Sequence, residues 1–185
     1  MGEAPLDDTA DGLVPAGEGW FVLNATDARW TRRPGRGHSL PFTGWTDEEA
    51  RLFPQLGVNL VVLDPGGGIG MYHWESEQED FLVLHGEAIL LVEGEERPLR
   101  RWDFVHTPAG VPHMIVGAGS EPCVVLAVGG RANMDTPEWG MYVADALAAR
   151  HGVSVADDTN DPAVAYGHLG ATTPEPYPDG LLPGG

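Results

Sequence analysis

Lysine is absent from this chain of 185 residues: all ten basic residues are arginine, set against 28 Asp and Glu, for a formal net charge of −18. A surface so acidic repels phosphate backbones and anionic lipid headgroups, so nucleic acid and membrane are excluded as partners. Cysteine is nearly absent too. Cys123 stands alone, which rules out an intrachain disulfide, and its apolar run Cys123-Val124-Val125-Leu126-Ala127-Val128 marks it as a small buried hydrophobe, not a nucleophile. No apolar run approaches the ~20 residues that span a bilayer. Residues Met1 to Glu18 carry five carboxylates and no basic-then-apolar pattern, so they do not read as a secretory signal, and a cytoplasmic location is expected.

What the chain has in quantity is glycine and proline, 26 and 16 residues, separating short apolar runs. That pattern predicts a turn-rich β protein of one domain with appended arms. Residues 1–17 are polar and acidic and are expected to be disordered. An N-terminal arm follows over 18–56, with a strand at Trp20-Phe21-Val22-Leu23, an irregular stretch from Thr31 to Gly44, and a capping box at Thr46-Asp47-Glu48-Glu49 that starts a short helix ending near Phe53. A barrel or sandwich is expected over 57–130, with strands near 58–64, 69–75, 79–85, 87–92, 96–100, 102–106, 113–117 and 122–129. The Glu93-Gly94-Glu95 loop reads as a hairpin connection.

The last stretch, 131–185, reads as a helical extension with a proline-rich tail. Thr136-Pro137 predicts a helix start and His151-Gly152 its stop, and Asp161-Pro162 starts a second, shorter helix through about Gly167.

One stretch, Gly67 to His113, holds imidazoles and carboxylates on apolar strands, a costly place for charge unless a metal ion or another partner compensates it. Strand alternation puts His73 and Glu75 on one face and Tyr72 and Trp74 on the other. Glu79 leads the next strand, and His113 follows the rigid turn Pro108-Ala109-Gly110-Val111-Pro112. His85 and His106 lie near this set but read as loop-end residues. Trp74, Phe81, Trp102 and Met114 read either as pocket lining or as core. The glycines at 66–68 and 70 follow a strand but open onto another strand, which excludes a nucleotide-binding loop.

The spacing resembles the cupin superfamily. Its first motif, G-x5-H-x-H-x3,4-E-x6-G, is matched by Gly67, His73, Glu79 and Gly86, with Glu75 where a second histidine is usual. Its second, G-x5-P-x-G-x2-H-x3-N, is matched by Pro108, Gly110 and His113, with Trp102 in place of glycine and Gly117 in place of asparagine. The resemblance implies an all-β jelly-roll, a double-stranded β-helix barrel, with a divalent metal at its mouth. It implies His73, Glu79 and His113 as ligands, with Glu75 either the fourth ligand or a general base beside them.

The implied cofactor is Mn, Fe, Ni or Zn, since an added carboxylate disfavours Cu(I). The implied function is a metal-dependent enzyme acting on a small molecule, or else a non-catalytic binding module built on the same barrel. No helix-turn-helix pattern precedes the barrel, which argues against a one-chain transcriptional sensor. The run Phe81-Leu82-Val83-Leu84 has no polar face, so its second side needs an arm or a second subunit, and a homodimer is expected.

Overall fold

The computed structural model describes residues 2–43, 55–134 and 136–183. Two antiparallel sheets face each other. One has seven strands: β3 (Trp30–Arg33), β4 (Gly37–Pro41), β5 (Leu56–Leu63), β7 (Glu79–His85), β10 (Phe104–Thr107), β12 (Cys123–Gly130) and β14 (Thr173–Glu175), in the order β10-β7-β12-β5-β4-β3-β14. The other has five: β6 (His73–Glu75), β8 (Glu87–Val92), β9 (Glu95–Arg100), β11 (His113–Gly117) and β13 (Gly140–Tyr142), in the order β13-β6-β11-β8-β9. The two sheets make a jelly-roll barrel. A ribbon of β1 (Leu6–Thr9) and β2 (Gly12–Pro15) lies apart, and two short helices follow the barrel, α1 (Ala146–Arg150) and α2 (Pro162–Tyr166).

Period-two alternation builds the core. Along β7, Phe81 and Val83 turn inward and join Val61, Leu63, Leu90, Ile115 and Val125 between the sheets. The alternate residue Leu84 packs outward against a second cluster around Trp30, Leu40, Leu60 and Val62. Trp30 is fully buried, its indole N–H donates to the Ala25 carbonyl at 2.8 Å, and Tyr177, Leu181 and Leu182 of the tail close over the cluster. An arm and the tail thus cover half of the outer face that the apolar run of β7 leaves open. Arg32 helps hold the tail in place: its guanidinium donates to His38 Nε2 at 2.8 Å, which leaves His38 Nδ1–H to donate to Glu175 on β14.

Several expectations need correcting. The acidic terminus expected to be disordered through residue 17 is in part the β1–β2 hairpin. Trp20–Leu23 is not a strand; only Trp20 bridges, to Glu3, and Trp20 and Val22 are exposed because no neighbouring strand reaches them. The stretch expected to be irregular after Thr31 is the β3–β4 hairpin, whose second strand pairs with β5. Within 69–75 only His73–Glu75 is strand.

The expected helix from Thr136 is split. Gly140–Tyr142 pairs with β6 as β13, and the helix begins only at Ala146, with the Asp145 carboxylate accepting from the Ala148 amide. A free sheet edge took the Trp-Gly-Met-Tyr stretch that apolar spacing had suggested was helical. The short helix read over 46–53 lies outside the described residues. The second helix start holds, with Asp161 as N-cap, proline in the first turn and Gly167 as C-cap.

The Glu93-Gly94 loop is a two-residue hairpin turn with φ of 49° and 79°, the left-handed pair that matches strand twist. Two further positions explain the motif glycines. Gly86 has φ 74°, and a Cβ there would lie 2.7 Å from the Pro122 carbonyl oxygen. Trp102 stands where the motif has glycine and holds φ 77°, a conformation that costs a side-chain-bearing residue about 1–2 kcal/mol. Arg101 stacks over its exposed ring at 4.7 Å, offsetting about 0.5–1 kcal/mol of that. Gly86→Ala is therefore expected to cost about 2 kcal/mol or more in urea unfolding, whereas Trp102→Gly should change stability by less than about 1 kcal/mol.

Candidate metal centre

The site is assembled by register. His113 at the start of β11 lies directly opposite His73 at the start of β6, so the two imidazoles stand side by side with ring centroids 5.4 Å apart. Glu75, two residues on in β6, faces the same way as His73. Glu79 enters from β7 in the other sheet, opposite Gly129, which leaves room for the carboxylate. Phe81 packs edge-on against the His113 ring at 5.5 Å.

The ring tautomers follow from the partners. His73 Nδ1 is 2.8 Å from the Met71 carbonyl and His113 Nδ1 is 2.9 Å from the Val111 carbonyl. A carbonyl can only accept, so each Nδ1 carries a proton, and a neutral ring then presents a bare Nε2. Both Nε2 atoms point at carboxylates: His73 Nε2 lies 3.4 Å from Glu75 Oε1 and 3.5 Å from Glu79 Oε2, and His113 Nε2 lies 3.2 Å from the same Glu79 oxygen. Glu79 Oε2 and His113 Nε2 are buried yet lack a hydrogen bond of acceptable geometry.

Two bare acceptors facing each other in an apolar wall are unfavourable unless a proton or a metal cation lies between them. Donors on a single ion with bonds near 2.1 Å stand about 3.0–3.4 Å apart, close to the spacings here. The ligand atoms of His73, Glu75 and Glu79 all lie within 4.8 Å of one another. His113 joins that group through Glu79. The four residues read from the motifs are therefore brought together, and their donor set suits a divalent ion of the Mn, Fe, Ni or Zn type.

Charge distribution without metal is informative. Burial disfavours the His73 imidazolium, but the Glu75 and Glu79 carboxylates outweigh it and hold the ring well above its ordinary value. Burial likewise opposes the Glu79 carboxylate, and the His113 and His73 rings overcome it, lowering Glu79 to about 2. A proton shared beneath the carboxylates thus does what a dication would do better.

The two carboxylates look into a cavity of about 600 Å³. Its far walls come from segments outside the motifs: Thr31, Arg33 and Ser39 of the β3–β4 hairpin, and Trp139, Tyr142 and Tyr166 of the C-terminal extension. No motif announced these residues. Trp139 and Tyr142 were legible only as part of a helix, and Arg33 only as part of an irregular arm. Phe81 and Met114 are core, Trp102 is exposed, His85 ends β7 in solvent, and His106 pairs with Asp80 at 2.6 Å on the outer surface. Cys123 is fully buried, and burial raises its thiol to about 11, so it is inert.

Residues 59–129 match the family model for the cupin domain. This segment of the chain is a cupin domain. Over 80 residues this cupin is 31% identical to an oxalate-binding protein of Thermotoga maritima, covering 43% of this chain and 62% of that one. Among solved structures, it is 34% identical to a sugar phosphate isomerase from a cupin superfamily of Silicibacter pomeroyi, covering 52% of this chain and 60% of that chain with a TM-score of 0.44. It is 23% identical to a Cupin 2 conserved barrel domain protein of Salinispora arenicola, covering 65% and 87% with a TM-score of 0.44. The cupin thus spans about three fifths of the length of the first two. Among its described residues no helix is long and apolar enough to cross a membrane.

The titration pattern fixes a sign. The raised His73 contributes stability that is fully present below the unfolded value of 6.5 and lost as pH rises through the folded one; the lowered Glu79 contributes stability present above 4.5 and lost as pH falls towards about 2. Metal-stripped protein should be most stable between about pH 4.5 and 6.5. A metal bound through His73 would compete with its proton, so the melting-temperature gain on adding Mn should widen from pH 6 to 8 in thermal scans.

Proposed function

We propose that this cupin is a metal-dependent enzyme acting on a small molecule, with His73, Glu79 and His113 as metal ligands and Glu75 as a fourth carboxylate at the same centre. The observation that carries the reading is the convergence of buried, otherwise unsatisfied donors, Glu79 Oε2 and His113 Nε2, beside His73. A bound dication would supply Lewis-acid polarisation of a substrate oxygen or activation of water or dioxygen. The chain's residues would do the rest. The two Nδ1 bonds to backbone carbonyls lock the imidazoles in orientation. Glu75 is less buried than Glu79 and lines the cavity, which suits it to moving a proton to or from a bound molecule as well as to ligation.

A second reading, a non-catalytic binder of a small ligand, is favoured by the oxalate-binding relative. Protein purified without added metal or chelator is expected to carry one equivalent of Mn, Fe, Ni or Zn by elemental analysis and to lose it in His113→Ala; a preparation that neither carries nor takes up metal overturns the enzyme reading. Turnover of a metabolite panel, in air and anaerobically, separates them. The enzyme reading expects consumption by the wild type that falls at least about a hundredfold in Glu75→Gln. Tight binding without turnover supports the binder.

We further infer that two copies associate through the edge of the seven-stranded sheet. There the row Phe104-Leu82-Leu126 continues the covered row of Leu60 and Leu40, yet Phe104 and nearby Trp102 remain more than 60% exposed. Light scattering is expected to give a dimer mass for wild type and a monomer mass for Phe104→Glu.

A further inference from the structure

Arg33 is an unusual residue for so acidic a protein. Strand register places it opposite Gly37 on the cavity side of β3, and its guanidinium carbon lies over the Tyr166 ring, 4.7 Å from the centroid. Its Nε–H donates to Thr172 Oγ1 at 2.8 Å. Among the described residues its two terminal amino groups have no hydrogen-bond partner, and no carboxylate pairs with it. The side chain is therefore held by stacking and by one bond while its fork stays available.

A second guanidinium compounds the imbalance. Arg36 is 8% exposed and bonded to the Gly70 carbonyl at 2.6 Å, to the Gly68 carbonyl at 3.3 Å and to Met71 Sδ. Those groups solvate its charge without neutralising it, and it lies near enough to Arg33 for their like charges to interact. A chain of net charge −18 thus gathers uncompensated positive charge on the wall of one cavity. A planar fork with two free amino groups matches the paired oxygens of a carboxylate or phosphate.

From the metal centre to Arg33 the wall is aromatic and continuous: the Tyr142 ring lies 5.9 Å from His73 and 5.5 Å from Tyr166, whose face carries Arg33. We propose that Arg33 is the specificity-determining residue of this cavity and binds an anionic oxygen group, so that the substrate is a small carboxylate or phosphate ester whose body lies along Tyr142. The proposal rests on the function proposed above only for where the substrate's reacting end lies. Arg33, Tyr142 and Tyr166 all lie outside residues 59–129, so the anion site belongs to this chain's added segments and not to the matched domain.

The test uses charged and neutral probes of like shape, malonate and malonamide, together with inorganic phosphate, titrated calorimetrically into full-length protein stripped on a chelating resin and, for the malonate pair, into Mn-loaded protein. Wild type is expected to bind malonate or phosphate but not malonamide, without metal as well as with it. Malonate alone identifies carboxylate substrates, and phosphate alone identifies phosphate esters. Arg33→Gln should weaken anion binding about tenfold or more while leaving metal content unchanged, and Arg33→Lys, which keeps the charge but not the fork, should recover part of it.

Anion affinity equal in wild type and Arg33→Gln, or malonamide bound as well as malonate, overturns the proposal. If Arg33→Gln melts early, the Lys variant carries the test: unchanged anion affinity at wild-type melting temperature overturns it too. Anion binding lost in Arg33→Gln by a protein that takes up no metal leaves the anion site standing and removes the metal reading.

Discussion

The centre depends on one register. β11 runs between β6 and β8, and His113 pairs with His73 on one side and Val92 on the other. A slip by a single residue would turn His113 to the opposite face of its sheet and take its Nε2 away from Glu79. What prevents the slip is apolar: Met114 to Val116 are all buried, matched across β8 by Leu91, Leu90 and Ile89. The polar site is positioned by the packing of residues that take no part in it. Its orientation is then fixed by two backbone carbonyls, those of Met71 and Val111, each two residues before the imidazole it holds.

The barrel and the convergence of His73, Glu75, Glu79 and His113 were legible because they depend on local spacing. An H-x-E on a strand shares a face whatever the fold, and Pro-x-Gly before a histidine makes a turn in almost any context. Trp102 was legible as a departure from the motif, and its φ of 77° supplies the reason glycine is usual there. Illegible were the pairings between distant segments. Nothing local in Gly37–Pro41 announces that it will line up with Leu56–Leu63, and nothing in Gly140–Tyr142 that it will extend the sheet beyond β6. These are tertiary choices, in which an unpaired edge overrides propensity. Much of the cavity wall comes from those segments, which is why the residues of the candidate metal centre could be read from sequence and that wall could not.

The outer face shows the same division of labour. The apolar row across the seven-stranded sheet is covered at Leu60 and Leu40 by Trp30 and the tail, while Leu82 and Phe104 lie beyond their reach. The cover is anchored by polar contacts at its rim, through the Arg32, His38 and Glu175 relay, because a short edge strand such as β14 supplies few backbone bonds of its own.

Glu75 links the metal centre to the charge of the cavity. A centre of three histidines and one glutamate around a dication would carry a net charge of +1 and attract anions to itself. With Glu75 in place of a histidine, two carboxylates and two neutral imidazoles would balance a dication. An anionic substrate would then gain little Coulombic attraction at the centre, and Arg33 and Arg36 would supply attraction at the other side of the cavity. In a chain whose remaining charge is strongly negative, those two guanidiniums would draw an anion to their side of the cavity and orient it with its charged end away from the proposed ligands. The departure from the family motif at Glu75 and the guanidinium pair outside the matched domain are, on this account, two halves of one electrostatic arrangement.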